Sequence, residues 1–355
     1  MLAFMFHHVK PKEYSTDACV DLDIFEKQLQ YIVSKKYQTI FASELVNSYE
    51  NEKFRRNSIV LTFDDGYVDN YIYAYPLLKK YNLKATFFVS TAFISDKNKG
   101  NFNSAQMEHD GVNRLWVNEK KISDYYLDWI QIKEMVDSGI VDIQTHGHFH
   151  NRCFVSDEIE GANINGMAWS YPLCTKGDTR QGLPVFRSNS ELSNRRFEVD
   201  SKILSMCNGI YRKYRGQSGK NIEKIITNKI EHLKTDKITI GSYENITRYK
   251  DRVYSELNKS IDIIFEKLKV RPVILSYPWG DYNKTLIDIC RELGIKGGMT
   301  ISKEIPNSYL YKSYCIKRIE SPNSFNEFKL LIKKNTLPLS IIRDLKRVIK
   351  RLVNF

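Results

Sequence analysis

The sequence predicts an α/β protein built on a parallel sheet or an α/β barrel. Short β-rich runs alternate with helical stretches along most of the chain, which is the pattern of repeated strand–helix units. The polar residues with chemical potential fall at or just after the carboxyl ends of those runs, the rim where such folds assemble active sites. The 355 residues suffice for one large barrel domain or two ordinary domains.

Taken in order, the segment 1–9 is apolar and short and reads as a buried first strand. It lacks a basic leading region and meets Lys10 and Pro11 at once, so it makes a poor export signal. The run SIVLTF at 58–63 is a strand ending in an acidic turn. A helical stretch at 68–80 follows, with Pro76 inside it predicting a kink or a late start. ATFFVS at 85–90 is a second buried strand. An amphipathic helix at 128–138 is stopped by Gly139, and VDIQT at 141–145 is the next strand. Later come a helix at 253–268, a strand at 272–276 (PVILS), a helix at 283–293 and a strand at 295–301. Between about 151 and 236 the rhythm fails. Some 85 residues without clear alternation are too many for an ordinary loop, so this region reads as an insertion at the active-site rim with helices at 198–214 and 221–233.

Composition bounds the class. Hydrophobic residues make up 42% and charged residues 27%, as in soluble globular chains, and no apolar run approaches the length of a membrane-spanning helix. Six cysteines stand scattered without a CxxC pair, which predicts reduced thiols and no cysteine metal site. The net charge of +12 asks for an anionic partner. No nucleic-acid motif is visible and none is expected as a partner; a membrane surface or a phosphate-bearing substrate fits. The end of the chain carries the best-placed charge. Leu339, Ile342, Leu345, Ile349 and Leu352 recur at helical spacing, and Arg343, Lys346, Arg347, Lys350 and Arg351 take other positions. A basic amphipathic helix over 336–355 follows, either packed on the body with a solvated face or attached peripherally to a membrane.

Three motifs carry the chemistry. Thr62-Phe63-Asp64-Asp65-Gly66 places two carboxylates where a strand gives way to a turn, so they can take different roles. Alone, an Asp-Asp-Gly turn is common. Thr145-His146-Gly147-His148-Phe149-His150 puts three of the seven histidines within five residues, directly after a strand. Two imidazoles plus a carboxylate leave coordination positions open for water and substrate, which a hydrolytic metal site needs. Ser276-Tyr277-Pro278-Trp279-Gly280 follows a third strand and precedes a helix.

Together these residues resemble the polysaccharide deacetylase family, the NodB-homology or carbohydrate esterase family 4 enzymes. TFDDG reproduces its first motif. His146 and His150 reproduce its second, H-[ST]-x-x-H, with Gly147 in place of Ser or Thr. SYPWG resembles a YPxG form of the third, from which the usual arginine is absent. The resemblance covers 1–335 in outline, insertion included, and implies a distorted (β/α)7 TIM-like barrel of the NodB-homology type. It implies Asp64 as the general base that activates water, and Asp65, His146 and His150 as ligands of a divalent metal, zinc first and cobalt, nickel or iron as alternatives. It implies the Tyr277 amide as oxyanion donor, with Pro278 and Trp279 lining the substrate groove. The late histidine that serves the family as general acid has no counterpart after His232. Phe6-His7-His8-Val9 resembles the YHxV segment of one branch, so His7 takes that role, with His148 as runner-up.

The implied activity is removal of an N-acetyl group from an amino sugar in a surface glycan or its lipid- or nucleotide-linked precursor. The basic character and the poor export signal favour a cytoplasmic, phosphate- or lipid-linked substrate, with peripheral membrane contact through the final helix. The rival class is a carbohydrate-binding protein on the same barrel with altered catalysis.

Overall fold

The computed structural model describes residues 2–15, 18–51, 57–96, 125–164, 171–175, 180–301 and 309–336. The basic segment at 339–355 lies outside the described residues. Two compact units are distinguished, Met1–Phe87 with Glu134–Asp142 and Arg318–Phe355, and Phe88–Lys133 with Ile143–Lys317.

The first unit is built on parallel strands. Leu2–Phe6 pairs with Ser58–Phe63 from Leu2 opposite Ile59 to Phe6 opposite Phe63. Its other edge takes Ile319–Glu320. Ser58–Phe63 in turn takes Gln38–Thr39 and the start of Ala85–Val89. Every residue of Leu2–Phe6, Ser58–Phe63 and Ala85–Val89 is buried, as parallel strands covered on both faces require. That is why they read as unbroken apolar runs. Phe6 stacks on Phe63, Phe63 on Phe87, and Phe4 on Phe328 of the helix Phe325–Thr336. The stretch around Pro76 resolves as a late start. A π-helical turn, Asn70–Ala74, precedes the α-helix Tyr75–Tyr81, which holds Pro76 in its first turn, where a missing N–H costs nothing.

The second unit continues the same logic. Thr145, at the end of Val141–Thr145, pairs with Leu275 of Ile274–Ser276. Gly297–Thr300 and Ile316–Lys317 follow in parallel. The helix Ile246–Leu268 starts seven residues before the predicted one, because Asn245 caps it by accepting from the Arg248 amide at 2.8 Å. It buries Tyr249, Val253, Leu257, Ile261 and Ile264, a stripe at three- and four-residue spacing, and the first four pack with Leu275, Tyr277, Leu286 and Cys290.

The insertion holds strands as well as the two expected helices, Ser201–Lys213 and Gly219–Thr235. Arg152–Ala162 and Pro184–Ser190 form an irregular antiparallel pair, and Phe197–Val199 pairs with Gly241–Tyr243. Ile203, Cys207, Ile222, Ile226 and Ile230 pack with Phe186 and Phe197 into a core of the insertion's own. Burial pushes the Cys153 and Cys207 thiols up to about 12, so both behave as small apolar groups, as reduced buried thiols should.

Candidate active site

The two carboxylates occupy the turn that ends Ser58–Phe63. The Asp64 amide donates to the Phe6 carbonyl at 3.0 Å, prolonging the ladder by one step, and the Gly66 amide donates to the Asp64 carbonyl at 2.9 Å. Asp65 and Gly66 take positive φ, 70° and 83°. For aspartate that conformation is uncommon, and such backbone is held in place by its surroundings. Adjacent carboxylates thereby part company. Asp64 is 2% exposed and receives both arms of a guanidinium: Arg318 Nη1 reaches Oδ1 and Nη2 reaches Oδ2, each at 2.6 Å. Arg318 Nη1 also donates to the Thr62 hydroxyl at 3.1 Å, and that hydroxyl donates to the Phe4 carbonyl at 2.8 Å. A planar fork on a carboxylate fixes both position and ionisation. Arg318 follows the strand Ile316–Lys317 and is far in sequence from the third motif, where an arginine was missed. No spacing rule in the sequence singles it out.

The histidine loop leaves the strand Val141–Thr145. His146 is 2% exposed, and its Nδ1 donates to the Ser276 carbonyl at 2.8 Å, which leaves Nε2 as the available ligand atom. The rings of His146 and His150 lie 4.7 Å apart. Gly147 has φ 81°, and a Cβ there would stand 3.3 Å from Leu192 Cδ1. Glycine suits that backbone better than the usual Ser or Thr. His150 is again at positive φ, 53°. Asp65 on the turn after Ser58–Phe63 offers a carboxylate, and His146 and His150 on the loop after Val141–Thr145 offer two imidazoles. One carboxylate and two imidazoles, one of them with its second nitrogen on a carbonyl, fit a divalent metal of the zinc class.

His148 turns the other way. Its Nδ1 lies 2.8 Å from the Thr91 hydroxyl, and burial, aided by the Lys259 charge, pushes its pKa down to about 4. It is neutral over the range where a proton donor is needed, which disfavours its place as runner-up. Of the two early histidines, His8 is the oriented one. Its Nδ1 lies 3.0 Å from Asp69 Oδ1, its ring sits 4.0 Å from that of Tyr67, and the Val9 amide holds Asp69 Oδ2 at 2.9 Å. His7 Nδ1 is buried without a hydrogen-bond partner among the described residues.

Tyr277 requires a correction. Its amide donates to the Met299 carbonyl at 3.0 Å and its hydroxyl to the Tyr314 carbonyl at 2.9 Å. The side chain is 1% exposed. The amide is committed to the strand ladder and Tyr277 is a core residue, so the oxyanion role read from the sequence does not fall to it. Pro278 is buried in the turn that follows. Trp279 there has φ 65°, and its ring lies 4.7 Å from that of His150. The Arg152 guanidinium, from the insertion, lies 4.9 Å over the Trp279 ring.

Residues 51–214 match the family model for polysaccharide deacetylase. The Staphylococcus aureus poly-β-1,6-N-acetyl-D-glucosamine N-deacetylase is 29% identical over 130 residues, 36% of this chain and 37% of that protein. The Bacillus subtilis protein YxkH, which carries a polysaccharide deacetylase name, is 32% identical over 119 residues, 32% of this chain and 42% of its own length. The matches thus span less than half the length of these curated relatives. Among solved structures, a de-N-acetylase from Aggregatibacter actinomycetemcomitans aligns at TM-score 0.55 and 16% identity, covering 92% of this chain and 98% of that one. The Streptococcus pyogenes deacetylase PplD aligns at TM-score 0.54 and 20% identity, covering 95% and 98%. These likenesses show the fold, a distorted (β/α) barrel of the NodB-homology type, as the sequence predicts.

Proposed function

We propose, for a chain that belongs to the polysaccharide deacetylase family, that it is a metal-dependent hydrolase removing N-acetyl groups from an amino-sugar glycan. The observation that carries this reading is the division of labour at the adjacent carboxylates. Arg318 grips Asp64, which leaves Asp65 to serve with the two imidazoles of His146 and His150 as the ligand set.

Asp65, His146 and His150 would hold a divalent metal. When bound, it supplies Lewis-acid polarisation of the acyl carbonyl and a water of lowered pKa. Asp64 is the general base: it takes the proton of the attacking water, and Arg318 keeps it ionised and aimed while it waits. The oxyanion donor moves from Tyr277 to the amide of Trp279, in the turn beside His150, where one such donor contributes ~3–4 kcal/mol. The Trp279 ring, with Pro278 behind it, gives a sugar ring an apolar wall. His7, beside the Phe6 carbonyl that receives the Asp64 amide, protonates the departing amine, with the Asp69-oriented His8 as its alternative.

The Staphylococcus aureus relative's name supports a polymer of N-acetylglucosamine as substrate. A phosphate- or lipid-linked precursor and a place at the inner face of a membrane rest on the reading of the sequence alone. No helix among the described residues is long and apolar enough to cross a membrane. A carbohydrate-binding protein without turnover is less favoured, since Arg318 supplies the arginine whose absence argued for it.

Acetate release from N-acetylglucosamine oligomers tests the reading. Turnover should vanish on chelation and return when zinc or cobalt is added back. Undiminished release in chelator would sink it.

A further inference from the structure

The backbone from His146 to His150 is an unusual shape, with Gly147 and His150 both at positive φ, at ease for the glycine and costly for His150. Gly147 brings no side chain to hold it. The restraint comes from the helix Ile246–Leu268. Glu256 Oε1 accepts the Phe149 amide at 3.2 Å. One turn on, the Ser260 hydroxyl donates to the Gly147 carbonyl at 3.0 Å and lies 2.8 Å from the Thr145 hydroxyl. Thr145 completes the grip by accepting the Gly147 amide at 3.0 Å. Residues four apart share one helix face, so a single element holds both a donor and an acceptor of the loop.

The same helix also holds the insertion. The Tyr249 hydroxyl donates to the Leu192 carbonyl at 2.8 Å. Arg252 donates to the carbonyls of Glu191 and Asn194 at 2.8 and 3.1 Å, and to both Glu244 oxygens at 2.9 and 2.8 Å. Glu256 lies one turn beyond Arg252, buried, in the field of both Glu191 and Arg252. A carboxylate in that position is costly to bury, and the backbone it holds is the arc that carries two of the proposed ligands. It is not itself in the ligand group.

We infer that Glu256, seconded by Ser260, is a positioning residue that fixes the loop from 147 to 149 so that His146 and His150 face one metal ion. This rests on the metal-dependent reading above. Glu256 acts on the site only through the backbone it holds.

The test is a titration of the metal-free chain with Co²⁺, reading both affinity and the visible absorption band, which reports ligand geometry. In Glu256→Leu the acceptor is gone, and affinity should fall ~10–100-fold, the usual cost of an outer-shell support, with a shifted band. Glu256→Gln keeps an oxygen of the same reach, and should stay within a few-fold of the wild type with the same band. Ser260→Ala should weaken binding in the same direction as Leu. A folded Glu256→Leu chain with wild-type affinity and spectrum would overturn the inference. Should that variant fail to fold, Ser260→Ala decides by the same two readouts, and wild-type behaviour there would overturn it. A wild-type chain that binds no Co²⁺ would remove the metal reading and this inference together. Wild-type binding with unaffected variants would remove only the inference.

Discussion

Arg318 and Asp64 illustrate how one residue pair can decide what a site does. Both are almost wholly buried, at 1% and 3% side-chain exposure, so neither charge has water to fall back on. A buried pair adds little net stability, but removing one partner strands the other. Arg318→Ala should therefore cost ~3–5 kcal/mol in denaturant unfolding and abolish turnover. A loss below ~1 kcal/mol, the size of an exposed pair, would contradict the burial argument. The acidic pair and the histidine cluster were legible in the sequence because each directly follows a stretch that reads as a strand. Arg318 was not, since it stands in a short polar stretch, Lys317-Arg318, whose neighbours give no spacing signal. Tyr277 failed for a related reason. The motif shows where a turn begins, and the last ladder bond, which takes its amide, depends on Met299 more than twenty residues on.

At the scale of elements, the helix Ile246–Leu268 joins insertion and histidine loop, and its charge state has a measurable consequence. Burial, then the Glu191 charge, raise the Glu256 carboxyl from 4.5 to about 7. Its folded value lies above its unfolded one, so the native state binds the extra proton. The stability this gives is complete below pH 4.5 and is lost as pH rises through about 7. His148, lowered from 6.5 to about 4, works the other way and loses stability as pH falls through that interval. Glu256→Gln removes only the first effect. Relative to the wild type, the metal-free variant should gain stability between pH 5 and pH 8 in urea melts, whatever its absolute stability. A difference that stays flat, or reverses, would contradict the raised value. The central strands Leu2–Phe6, Ser58–Phe63 and Ala85–Val89 were readable because they are uniformly buried. The insertion's strands were not: Arg152–Ala162 has mixed burial and a shifting register, so neither alternation nor an apolar run betrays it.

For the whole molecule, the excess of 54 Lys and Arg over 42 Asp and Glu describes a surface field and leaves the chemistry to a few buried groups. Fold class was legible because strand and helix periods alternate over most of the chain. The substrate was not, because the turn at 277–280 and the Arg152 side chain over Trp279 are distant in sequence and meet only in the tertiary structure. The central claim is a separation of roles, Asp64 for protons and Asp65 with the histidines for metal. Acetate release by metal-loaded wild type and Asp64→Asn, at matched metal content, tests it most directly. Each chain should bind one ion, and the rate of the variant should be ~10²–10⁴-fold lower, the usual worth of a general base. Full activity in Asp64→Asn, or loss of the ion along with the rate, would contradict it.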